Sequence, residues 1–384
     1  MPICFSVHNL AGYNERCNTV LYREPIRTNK SYASKYIIFF PGDYSNFFTN
    51  SIYTSFKLEA TNECSDYCYS YEALFWVLSS KYLYDHLVFI KPSLFVNHFS
   101  SFSNFLNPSD VSLSGHGHPV TVARGTGHVN TGGTNPGDAV VPAKSVNHLL
   151  CLLLSLDERL SGGSVGSGES GLNGDHTASV NGTPCGDSNG EGTHTSAHGR
   201  SDHTDGPPPL SPLKRRLVLI GFSRGCSVLF ALMREANEGQ LLLPYVDSVY
   251  LLDPGFNKRL YNTEIESSAL KKVAQCGLKI FLHSTPHQVT NKNDVHIHSE
   301  LLNFLKKLRQ HGVGTFPYIH YIRNAKLVNH LNLHFEILVD FTDDVLEDPS
   351  EASSLSRSCK EQGITVCRSK TSVRDFLFEN WRSN

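Results

Sequence analysis

Short runs of consecutive apolar residues alternate along this chain with longer stretches in which apolar positions recur every three or four residues. "KYIIFF", ending at Pro41, predicts a strand, "YEALFWVLSSKYL" a helix, and "HLVFI" a strand. A helix is expected over 145–160, centred on Leu149–Leu160, then a strand over Leu217–Ile220 and a helix over Val228–Glu235. "VDSVYLL" and "LKIFLH" predict strands, each followed by a helix, "EIESSALKKVAQCG" and "DVHIHSELLNFLKKLRQHG". "PYIHYI" predicts the last strand, with a final helix around Leu331–Val339. Strands that are apolar at every position are covered on both faces, and strands separated by helices pair in parallel through right-handed crossovers. The expected fold is a three-layer α/β domain with a mainly parallel sheet.

Glycine interrupts this pattern. Nineteen of the 29 glycines fall between residues 115 and 206, mixed with Ser, Thr, Asn and His. Such a composition buries too little apolar surface to offset chain entropy, so a long disordered insertion is expected. The chain then divides into a first domain segment (1–107), a low-complexity insertion (108–144), a helix of the domain (145–160), a second disordered insertion (161–212), a second domain segment (213–341) and a tail (342–384) with a short helix at "SVRDFLFENW".

Charge narrows the function classes. The net charge is −2 with 18% charged residues, and the longest like-charge block is Lys214-Arg215-Arg216, which argues against nucleic acid as a partner. The apolar run Leu149–Leu154 is far short of the roughly 18–20 residues that a transmembrane helix needs. Ten irregularly spaced cysteines read as reduced thiols. No signal-peptide pattern opens the chain, so a cytoplasmic location is expected. Without a Gly-Lys pair there is no phosphate loop, and the histidines lack metal-ligand spacing, so neither cofactor nor metal is expected.

Three stretches match G-x-S-x-G, at Ser164, Ser188 and Ser223. The first two sit in glycine-rich sequence, where chance matches are common. Ser223 instead follows the apolar run "RLVLI" and precedes a helical segment, the strand–turn–helix context a nucleophilic serine requires. Its hydroxyl needs a base, and the base needs an orienting acid. Asp253, closing the strand "VDSVYLL", is the expected acid, and Asp294 the alternative. The chain order Ser, acid, His points past the last strand, where His330 is preferred as base and His334, one turn on, is the alternative. The backbone N–H of Arg224 and an amide just after Gly42, that of Asp43, are the candidate oxyanion donors.

Taken together, "YIIFFPGDYSNF", "HLVFIKPSLFVNHFSSFSNFL", "LIGFSRGCSVLF", "YLLDPG", "STPHQV" and "NHLNLHF" resemble blocks of the chromosome 2 open reading frame 69 family, from about residue 18 to residue 341 outside the insertion. The resemblance implies an α/β-hydrolase-like fold, distantly similar to lipid-droplet-associated hydrolases and esterases. It supports Ser223, Asp253 and the pair His330/His334, and implies mitochondrial location as the alternative to the cytosol. The resulting expectation is a serine hydrolase acting on a small-molecule acyl ester or thioester, with a lipid-like acyl group favoured. The rival reading is a weakly active or inactive scaffold of lipid, glycogen or mitochondrial metabolism, with the insertion contacting a protein partner.

Overall fold

The computed structural model describes residues 4–27, 31–43, 45, 47, 70–96, 99–107, 144–162, 213, 215–237, 242–256, 262–290, 295–321, 330–342 and 354–367. In chain order the elements are β1 (Ser6–Ala11), β2 (Cys17–Arg23), β3 (Tyr36–Phe40), α1 (Tyr71–Lys81), β4 (His86–Ile90), β5 (Leu94–Val96), β6 (Phe99–Ser101) and α2 (Ser145–Gly162). There follow β7 (Leu217–Phe222), α3 (Cys226–Arg234), β8 (Val246–Leu252), α4 (Ser267–Gln275), β9 (Lys279–Ser284), α5 (Pro286–Thr290) and α6 (Val295–Gln310). The described chain closes with β10 (Gly314–Ile319), α7 (His330–Asp340), α8 (Ser354–Glu361) and β11 (Thr365–Val366).

Nine strands form one sheet in the order β1-β2-β4-β3-β7-β8-β9-β10-β11. From β4 to β11 every pairing is parallel, and β1 and β2 join antiparallel at one edge. The period-two alternation of a strand splits the apolar run of β3 between the two faces. Tyr36, Ile38 and Phe40 pack on one side with Leu149, Leu153, Leu229, Leu270 and Leu305 from α2, α3, α4 and α6. Ile37 and Phe39 pack on the other with Phe75 and Leu78 of α1 and Ile337 and Leu338 of α7. Each fully buried Phe or Leu contributes about 1.5–3 kcal/mol, so these two cores fix which face each strand residue takes. This is the three-layer α/β arrangement with a mainly parallel sheet that the apolar pattern predicts.

Polar groups at element ends hold the layers in register. The Glu235 carboxylate accepts the backbone N–H groups of Ser145 and Val146, capping the positive end of α2. Ser70 caps α1 by accepting the Ala73 N–H at 3.1 Å. At the far end of α1, Lys81 Nζ donates to the carbonyls of Val339 and Phe341, anchoring the C-terminal end of α7.

Two expectations change. "PYIHYI" is not the last strand, because β11 pairs in parallel with β10, Tyr318 opposite Thr365 and Ile319 opposite Val366. Part of the span 342–384 is therefore α8 and sheet edge rather than tail, while "SVRDFLFENW" lies outside the described residues. The antiparallel β1–β2 pair was also not expected; its outer strand alternates weakly and buries mainly Leu10. The insertion segments 108–143 and 163–212, with Ser164 and Ser188, lie outside the described residues. Among the described residues no helix is long and apolar enough to cross a membrane.

Candidate active site

Three of the parallel strands, β3, β7 and β8, end on the same side of the sheet with a candidate residue just beyond them, the place where ligands gather in parallel sheets. Ser223 follows β7 and turns directly into a three-residue helical turn and α3. Its backbone is left-handed at φ 52°, a conformation that strains any residue but glycine and pushes the side chain out of the strand direction. The flanking glycines make the turn sterically feasible. A β-carbon on Gly225 would run into the Phe40 carbonyl of the neighbouring strand, and one on Gly221 would lie 2.8 Å from Cys226 Cα. The Ser223 side chain is thereby held against β3: a β-carbon on Gly42 would come within 2.7 Å of Ser223 Cβ.

Asp253 follows β8, also left-handed, at φ 45°, and is buried. Its N–H donates to the His283 carbonyl at 2.8 Å, which pins the turn to β9. Its carboxylate receives the Thr285 N–H at 3.0 Å and the Thr285 hydroxyl at 2.9 and 3.1 Å. The other contact is His334, whose Nδ1 lies 2.6 Å from Asp253 Oδ2. An ionised carboxylate can only accept, so the imidazole proton sits on Nδ1 and Nε2 keeps its lone pair. The His334 ring lies over Phe222, the residue before Ser223, with centroids 4.5 Å apart and planes 32° apart, and it remains 20% exposed.

His334 and not the preferred His330 is thus the histidine that meets the acid. His330 opens α7 one turn earlier, and its side chain lies outside the described residues, as does the alternative acid Asp294. Gly42, Asp43 and Arg224 gather beside Ser223. Arg224 Nε stands 3.4 Å from Asp43 Oδ1, and its guanidinium lies over the Phe99 ring at 5.0 Å. Burial pushes the Asp43 carboxyl above its ordinary range, opposed by the Arg224 charge and the Ser100 N–H. Cys226, at the start of α3, is fully buried with its thiol pushed well up, mainly by that burial, so it offers no competing thiolate. Among the described residues no group of three or more His, Cys, Asp or Glu could hold a metal ion.

A family model described as C2orf69 matches residues 6–314. The chain belongs to the C2orf69 family. Its relatives in this family include the mouse protein named "Mitochondrial protein C2orf69 homolog", 30% identical over 144 residues that make up 35% of this chain and 40% of the relative. The human "Mitochondrial protein C2orf69" is 30% identical over 135 residues, 33% of this chain and 34% of the relative. The chain therefore aligns with less than half the length of either. Among solved structures, an IroE-like serine hydrolase from Shewanella oneidensis is similar at a TM-score of 0.40 and 10% identity, covering 94% of this chain and 89% of that one. Pyrococcus horikoshii acylaminoacyl peptidase is similar at 0.40 and 9% identity, covering 93% and 44%.

Thr285 and Ser100 are the site residues that sequence patterns miss. Thr285 directly follows β9 and Ser100 is the middle residue of the three-residue β6, and a single hydroxyl at either place leaves no periodicity. The position of Thr285 directly after β9, next to the acid-bearing strand, is the signal that could have found it.

Proposed function

We propose that the chain is a serine hydrolase cleaving an ester or thioester by acyl transfer. The observation that carries this reading is the 2.6 Å contact of His334 Nδ1 with the buried Asp253 carboxylate, beside a serine in a strained left-handed turn. Ser223, on a nucleophile elbow, attacks the acyl carbon while His334 Nε2 takes its proton; the alcohol or thiol leaves with that proton, and water releases the acyl group by the same path in reverse. Asp253 holds the tautomer and stabilises the imidazolium. The N–H groups of Arg224 and Asp43 bind the oxyanion.

The site's electrostatics favour a neutral substrate. The Arg224 charge already faces Asp43, and the hairpin of β5 and β6 presents Leu94 and Phe99, 56% and 43% exposed, as an apolar wall suited to an acyl chain. The relatives' names support a mitochondrial location, which fractionation of cells expressing the full-length protein tests.

A neutral fluorophosphonate probe tests the chemistry. Wild type is expected to label and Ser223→Ala not to. Wild type that stays unlabelled, or labelling that persists in Ser223→Ala, overturns the assignment and leaves the scaffold reading.

A further inference from the structure

The Gly42–Asp43 peptide is gripped from the side by a residue that the mechanism above does not use. Ser100, on β6 and fully buried, donates its hydroxyl to the Gly42 carbonyl at 2.6 Å. Its own N–H donates to Asp43 Oδ1 at 2.7 Å. In a planar trans peptide the carbonyl and the N–H of one unit point in opposite directions. Fixing the Gly42 carbonyl toward Ser100 therefore fixes the Asp43 N–H away from it. Gly42 is permissive about ψ, so without this bond the peptide plane is free to swing. The same Asp43 carboxylate reaches Arg224 Nε at 3.4 Å, which ties β6 to the turn that carries Ser223. Ser100, Gly42 and Asp43 thus close a ring of contacts around one amide, and the Asp43 carboxylate joins that ring to Arg224, linking three chain segments.

We propose that Ser100 is a positioning residue for the oxyanion site, its hydroxyl setting the plane of the Gly42–Asp43 peptide and so aiming the Asp43 N–H. The proposal rests on the serine-hydrolase reading above. A donor held in place stabilises a developing charge without reorganising when the reaction occurs, whereas one that must first rotate gives up part of that gain. The effect belongs to the transition state, so turnover should suffer and ground-state binding should not.

The test measures the rate of fluorophosphonate labelling, and kcat and KM on a p-nitrophenyl ester, in the full chain. Ser100→Ala is expected to slow labelling and kcat about 10- to 100-fold while KM moves less than about threefold. Ser100→Thr, which keeps the hydroxyl, is expected to recover most of the rate. Ser100→Val has the shape of Thr without the hydroxyl, so the Thr/Val pair decides the matter even if Ser100→Ala does not fold. Thr at least about tenfold faster than Val supports the proposal. Equal rates for Thr and Val, wild-type rates in Ser100→Ala, or a loss confined to KM overturn it. A wild type that never labels at Ser223 overturns the hydrolase reading instead, and this inference with it.

Discussion

His334 Nδ1 sits 2.6 Å from Asp253 Oδ2, and that carboxylate is fastened by the N–H and hydroxyl of Thr285, so imidazole and carboxylate form one hydrogen-bonded unit spanning α7 and the ends of β8 and β9. Replacing Asp253 by Asn removes the acceptor that keeps the proton on Nδ1. Asp253→Asn is expected to lower kcat/KM by about 10⁴-fold with the fold intact. His334→Ala should cost as much, and the double variant hardly more, because the residues act together. His330→Ala should stay within about threefold of wild type. Ester kinetics on the four proteins check this, and a His330→Ala as inactive as His334→Ala would return the role of base to His330.

Thr285→Val leaves the backbone N–H bond to Asp253 and removes the hydroxyl bonds. A hydrogen bond to a charged group is worth about 1.5–3 kcal/mol, so kcat is expected to drop about tenfold or more with KM little changed. Steady-state kinetics decide it; an unchanged kcat would mean that the carboxylate is held well enough without the hydroxyl.

Gly225→Ala places a methyl against the Phe40 and Pro41 carbonyls, both backbone and unable to swing aside. The expected loss of stability is about 1–3 kcal/mol or more, read as a lower urea midpoint. Gly277→Ala supplies the comparison: its φ is +67° but a β-carbon would meet nothing within 4 Å, so only the backbone strain of about 1 kcal/mol applies. Equal losses at the two positions would mean that the contact between β3 and the serine turn is loose.

Acid should destabilise the fold through buried neutral histidines. His148 Nδ1 accepts the Tyr13 N–H at 3.0 Å, so Nε2 carries the proton and faces Asn18 Oδ1 at 2.8 Å. Burial, assisted by Arg16, lowers its pKa to about 4, and burial lowers that of His86 to about 4 as well. A folded-state pKa below the unfolded 6.5 means that the unfolded chain binds more protons in between. Stability is therefore complete above pH 6.5 and is lost as pH falls toward 4, by up to about 1.4 kcal/mol per pH unit for each histidine. Urea unfolding at pH 7.5, 6.0 and 5.0 should show this slope, and His148→Gln should flatten it; an unchanged slope would remove His148 from the account.

The central parallel strands were legible because each carries a run of apolar residues, unbroken in "YIIFF" and "LVLI", and Asp253 was legible because it follows one of them. The antiparallel β1–β2 pair was not, since "SVHNLA" spends most of its positions on solvent. The two-residue β11 is too short to carry a period. The choice between His330 and His334 could not be read either. Residues four apart share a helix face, so only the placement of α7 over Phe222, secured by Lys81 at its far end, decides which ring reaches the acid. Ser100 and Thr285 are single hydroxyls that satisfy a carbonyl or a carboxylate, contacts that exist only once distant strands are side by side.

The left-handed backbone at Ser223 sets folding and chemistry against each other. A non-glycine residue at φ 52° carries roughly 1–2 kcal/mol of strain that glycine would relieve. Ser223→Gly should thus yield a protein that survives more urea and hydrolyses nothing. In a lineage released from selection for turnover, drift toward glycine at this one position would be favoured by stability alone.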